Sequence, residues 1–133
     1  MKHGCVVIAD IHQNMLEGIR SLLDTEFETT VMVASLASLK KAVADLKPDL
    51  VVMDVSMPCP DGINVVREFI DSCPSTRLIV MSVHDEQSVV DKVIGSGASG
   101  FVLKRQAAND LLPAVKDVLG GQTYISKVIQ KAN

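Results

Sequence analysis

Four side chains of this chain could meet in one reaction: Asp10, Asp54, Ser82 and Lys104. Each closes a short apolar run, in "CVVIAD", "LVVMD", "RLIVMS" and "GFVLK". A carboxylate at the mouth of a buried segment is costly to desolvate, so it has a partner or a task. Two carboxylates, a hydroxyl and an ammonium suit the handling of a phosphoryl group. A carboxylate can act as nucleophile and hold phosphate as an acyl phosphate. A divalent metal on oxygen ligands neutralises phosphoryl charge. Lysine is a mobile point charge for one phosphate oxygen, and serine donates a hydrogen bond to another. Taken singly, each residue has a plainer explanation: turn or cap for the aspartates, satisfied core hydroxyl for Ser82, solvated strand end for Lys104. Their shared placement, one per run and at the same end, favours the site.

The runs that must carry these residues span 5–9, 30–34, 50–53, 77–82 and 100–104. They are short, continuous and rich in β-branched residues, as strands buried on both faces are. Helical spacing fills the intervals. Met15, Ile19, Leu22 and Leu23 share a face, as do Leu39, Val43 and Leu46, and then Val65, Val66, Phe69 and Ile70. Val89, Val90, Val93 and Ile94 form a fourth stripe, and Leu111, Val115, Val118 and Leu119 a fifth. Gly97, Gly120 and Gly121 stand where helices should stop. Strand and helix alternate five times, which predicts an α/β fold with a parallel five-stranded sheet covered on both faces. Sites in such sheets lie beyond the carboxyl ends of the strands, where all four residues fall. Pro113 would kink a helix from within, so the last helix is expected to start near Asn109 or Asp110. Residues 1–121 read as one domain, and 122–133 as a linker or tail of weak pattern.

A chain of 133 residues, 47% apolar and 22% charged, is that of an ordinary globular domain. A net charge of −3 argues against a basic face that grips nucleic acid. Cys5, Cys59 and Cys73 are scattered and odd in number, which suggests neither a zinc site nor a disulfide framework and fits a reducing cytoplasm. No apolar run reaches membrane-spanning length.

The segments "VVIAD", "VVMDVSMPCPDG", "LIVMSVHDE" and "GASGFVLK" resemble the receiver domain of bacterial two-component response regulators over nearly the whole chain. "HQNMLEGIRSLL", and "GASGFVLK" with no proline after it, are most similar to the NarL/FixJ (LuxR-type) subfamily. The resemblance implies a flavodoxin-like sheet ordered 2-1-3-4-5. It implies that Asp54 accepts a phosphoryl group from a sensor histidine kinase and that Mg²⁺ is required, on Asp10, Asp54 and the backbone carbonyl of Ser56. Ser82 takes the switch-hydroxyl position, Lys104 that of the phosphate-binding lysine and Phe101 the aromatic switch. It also implies a possible homodimer, through the fourth helix, fifth strand and fifth helix or through the first and fifth helices. A helix-turn-helix output domain usually follows, and any DNA binding is expected to belong to it rather than to this chain. One position departs from the pattern. A second acid normally follows Asp10, and this chain has Ile11, so Mg²⁺ binding should be weak. A receiver-like interaction module independent of phosphorylation is therefore the alternative. A phosphatase of the haloacid dehalogenase type needs a second Asp at the position of Ser56. A flavin carrier needs a Ser/Thr/Gly loop where "DIHQN" stands, and flanking aromatics, whereas the chain has no Trp and one Tyr.

Other residues read plainly. Phe101 by pattern alone is core. Asp85 and Asp61 should cap the helices that follow them. His84 reads as a solvated loop residue, Cys59 as chance, and Lys40, Lys41 and Lys47 as a solvated face.

Overall fold

The computed structural model of the chain describes residues 2–10, 17–55 and 61–126. Five strands and five helices alternate: β1 (His3–Asp10), α1 (Glu17–Asp24), β2 (Phe27–Val33), α2 (Leu36–Leu46), β3 (Leu50–Val55), α3 (Asp61–Ser72), β4 (Leu78–Ser82), α4 (Gln87–Gly95), β5 (Gly100–Leu103) and α5 (Ala107–Leu119). A 3-10 turn, Lys104–Gln106, joins β5 to α5, and a short β6 (Tyr124–Ile125) ends the series. All neighbouring strands are parallel, in the order β2-β1-β3-β4-β5-β6. The expected order holds, and β6 adds a sixth strand beside β5.

Alternation along the buried strands divides the core in two. Val6, Ile8, Leu50, Val52, Ile79, Met81 and Val102 pack under α1 and α5 with Ile19, Leu23, Leu111, Val115 and Val118. Val7, Ala9, Val51, Met53, Val80, Phe101 and Leu103 pack under α2, α3 and α4 with Leu39, Val66, Phe69, Val90 and Val93. The apolar runs were continuous because β3, β4 and β5 are buried on both faces. Gly100 lets α5 approach: a Cβ there would stand 3.0 Å from Ile79 Cγ1 and 3.3 Å from Val118 Cγ2.

Three local expectations are corrected. Pro113 lies well inside α5, not in its first turn. It sits on the exposed side, while Leu111, Ala114, Val115 and Val118 hold the helix to the sheet. Asp85 does not cap α4. The N-cap is Glu86, with no side-chain cap bond, and Asp85 instead accepts from Arg105 at 3.0 Å. Lys40 is not merely solvated, for it pairs with Glu68 across α2 and α3. Met15 and the side chain of Asp61 lie outside the described residues, so their expected roles are not assigned.

Candidate functional site

The sheet register assembles the site. Asp10 and Asp54 are direct partners on β1 and β3, at the carboxyl ends of both strands. Each continues the alternation that points toward the α1/α5 layer, so the two carboxylates share a face. Ser82 closes β4 and is in register with Val55 on one side and Leu103 on the other. Lys104 opens the turn directly after Leu103. All four residues that the sequence singled out thus fall at the carboxyl end of the sheet, although by the same alternation Ser82 follows Leu78 and Val80 toward the α2, α3 and α4 layer.

Lys104 Nζ lies 2.9 Å from Asp54 Oδ2, with 12% of the lysine side chain exposed and none of the aspartate's. The plainer explanation of Lys104 taken singly, a solvated strand end, does not hold. The ammonium is largely withdrawn from water and held by a buried carboxylate. Such a pair gains strength from the low local dielectric, and losing one partner would strand the other charge. Asp10 is nearly buried as well, at 8% exposure.

Ser82 is buried, and its Oγ accepts the backbone N–H of His84 at 3.0 Å. With that lone pair engaged, the hydroxyl hydrogen remains a donor. His84 is not the solvated loop residue expected. It is half-buried, with Nδ1 3.8 Å from Glu86 Oε2. Phe101 is fully buried in the layer facing α2, α3 and α4. The Arg105–Asp85 bridge, which sequence reasoning missed, joins the β4–α4 loop to the turn that carries Lys104. Both residues are about half exposed, and such pairs contribute at most about 1 kcal/mol.

Asp10 and Asp54 supply hard oxygen donors of the kind Mg²⁺ takes. Their donor chemistry fits that ion. Among the described residues no group of three or more His, Cys, Asp or Glu converges on a metal position. Ser56, Ile11, His12, Gln13 and Cys59 lie outside the described residues.

Residues 6–116 match the family described as the response regulator receiver domain. The transcriptional regulatory protein DegU of Brevibacillus brevis is 36% identical over 122 residues, which is 90% of this chain and 52% of that protein. The oxygen regulatory protein NreC of Staphylococcus aureus is 30% identical over 90% of this chain and 57% of its own length. The chain thus spans about half the length of the curated relatives it matches. A two-component response regulator of the LuxR family from Aurantimonas superposes with a TM-score of 0.82 at 26% identity, covering 96% of this chain and 92% of that one.

Proposed function

This chain belongs to the response regulator receiver domain family, and from that premise we propose that it is a signalling switch in which Asp54 accepts a phosphoryl group from a sensor histidine kinase. Receiver domains interact with histidine kinases and bind Mg²⁺ at the phosphorylation site, and LuxR-family regulators bind DNA through an output domain. The observation that carries the reading is the Asp54–Lys104 pair at the carboxyl end of the sheet, 2.9 Å apart, beside Asp10 and Ser82.

The chemistry follows from these groups. A carboxylate oxygen of Asp54 attacks phosphorus, and the bond from phosphorus to the donor histidine nitrogen breaks. The electron pair stays on the imidazole, and Asp54 becomes an acyl phosphate. Lys104 lies within reach of a phosphoryl oxygen once one is attached to Asp54, and its charge offsets the added negative charge. The Ser82 hydroxyl donates to a second oxygen, and that draws in the loop held by His84 and Asp85. Asp10 and Asp54, with the carbonyl of Ser56, would hold Mg²⁺, which supplies positive charge to the phosphoryl oxygens when bound. Receiver domains of transcriptional regulators are in general signalling modules rather than enzymes. The receiver expected at residues 1–121 extends through β6 and the buried Ser126, and the segment after it is taken as leading toward a DNA-binding output domain. No helix of the described residues is long and apolar enough to cross a membrane. A cytoplasmic setting and homodimer formation complete the proposal.

A second reading rests on Ile11, which puts a hydrocarbon where the family pattern has an acid. In that reading the domain binds partners without being phosphorylated. Loss of even an outer-shell partner costs roughly 10–100-fold in metal affinity, and a lost direct carboxylate should cost at least that. Ile11→Asp is therefore expected to tighten Mg²⁺ binding at least about tenfold and to speed labelling by acetyl phosphate. Calorimetric Mg²⁺ titration of both proteins checks this. Equal affinities would mean that another group already fills the place of the acid.

A further inference from the structure

Tyr124, Ile125 and Ser126 take no part in the chemistry above, yet they are fastened to the element that delivers Lys104. The backbone N–H groups of Tyr124 and Ser126 donate to the carbonyls of Ser99 and Phe101 at 3.1 and 3.0 Å. Ser126 is fully buried, and its Oγ accepts the N–H of Leu103 at 3.0 Å. The Tyr124 phenol lies near Asp110, a nearly buried carboxylate of α5, and burial and then that charge push the phenol's pKa up. The segment therefore grips β5 along its edge and α5 near its start.

Leu103 is the hinge of this arrangement. It is fully buried, it stands in register with Ser82 on β4, and Lys104 follows it. Without the Ser126 hydroxyl, the N–H of Leu103 would be a buried donor with no acceptor at that edge, a state that folded proteins avoid. One hydrogen bond from Ser126 thus pins the point where the chain leaves the sheet and turns Lys104 toward Asp54. Phe101, two residues earlier, is paired with Ile125.

We propose that residues 124–126 form a strap that positions Lys104, with Ser126 as the positioning residue, so that docking of the strap and closure of the Asp54–Lys104 pair are coupled. Coupling of this kind is reciprocal. Whatever draws Lys104 off Asp54 loosens the strap, and whatever pulls on the strap disturbs Lys104. The strap is the last described element of the chain, so force from any following segment reaches the site through it. The consequence for phosphorylation rests on the proposed role of Asp54, whereas the coupling itself does not.

The test is amide hydrogen exchange by NMR on the 133-residue chain, comparing wild type with Lys104→Met and, as a second route to the same broken pair, Asp54→Asn. Exchange at Leu103, Tyr124 and Ser126 should accelerate at least tenfold relative to β2 at the opposite edge. In a second arm, Ser126→Ala should slow acetyl-phosphate labelling at least tenfold, with Ser126→Thr restoring it by returning a hydroxyl. Strap exchange unchanged relative to β2 in both pair-breaking variants overturns the proposal, whatever the labelling does. Accelerated exchange in the two pair-breaking variants, with a wild type that never labels, upholds the coupling and removes the phosphoacceptor reading instead.

Discussion

Lys104 carries more of the account than its residue type advertised. A lysine ending an apolar run reads as a solvated charge, because a sequence states neither burial nor distance to a partner. Here its ammonium meets a carboxylate that has no exposed side-chain surface. Lys104→Ala should therefore lower the free energy of unfolding by about 2 kcal/mol, the scale of a hydrogen bond to a charged group whose partner is left buried. Urea unfolding measures it. A loss under about 0.5 kcal/mol, ordinary for surface changes, would return Lys104 to solvent. Combining it with Asp54→Asn should cost less than the sum of the two, since both remove one pair. Ile11, by contrast, was legible as an anomaly only against the receiver pattern, because an isoleucine cannot replace the oxygen ligand that the pattern puts after Asp10.

Among the elements, legibility followed burial. β1, β3, β4 and β5 announced themselves because their inner stretches have no solvated face and so no polar interruptions. β2 was placed at 30–34 and runs Phe27–Val33, because on this edge strand the exposed polar pair Glu28 and Thr29 separates the core residue Phe27 from the apolar run. The two-residue β6 is too short for any period to show. Its support is the unpaired edge of β5, a tertiary fact. Pro113 misled because propensity judges a helix interior locally, whereas α5 is held by its buried face. The site itself was readable, because a parallel sheet fixes which end of each strand carries function. Gly100 belongs to this scale too, since α5 packs over it and Ile79 and Val118 are both buried. Gly100→Ala should destabilise by about 1–2 kcal/mol through overpacking. Thermal unfolding checks it, and an unchanged midpoint would mean that α5 has room to move outward.

At the scale of the whole molecule, the fold joins its last described strand to the element that carries Lys104, and the one tyrosine of the chain reports on that strand. Burial first, and then the nearby Asp110 carboxylate, push the Tyr124 phenol up from 10.0 to about 12. The fold thus favours the neutral phenol. Its contribution to stability is complete below the unfolded value near 10 and is lost as pH rises to about 12. Tyrosinate absorbance should show a midpoint near the upper value, and Asp110→Asn should bring it down. An unshifted wild-type midpoint would mean that Tyr124 is not docked. The central claim, that Asp54 is the phosphoacceptor, is met most directly by intact-mass spectrometry after incubation with acetyl phosphate at saturating Mg²⁺. The expected result is a gain of one phosphoryl group by the wild-type chain and none by Asp54→Asn. Full labelling of Asp54→Asn, or no labelling of either the wild type or Ile11→Asp, would contradict it.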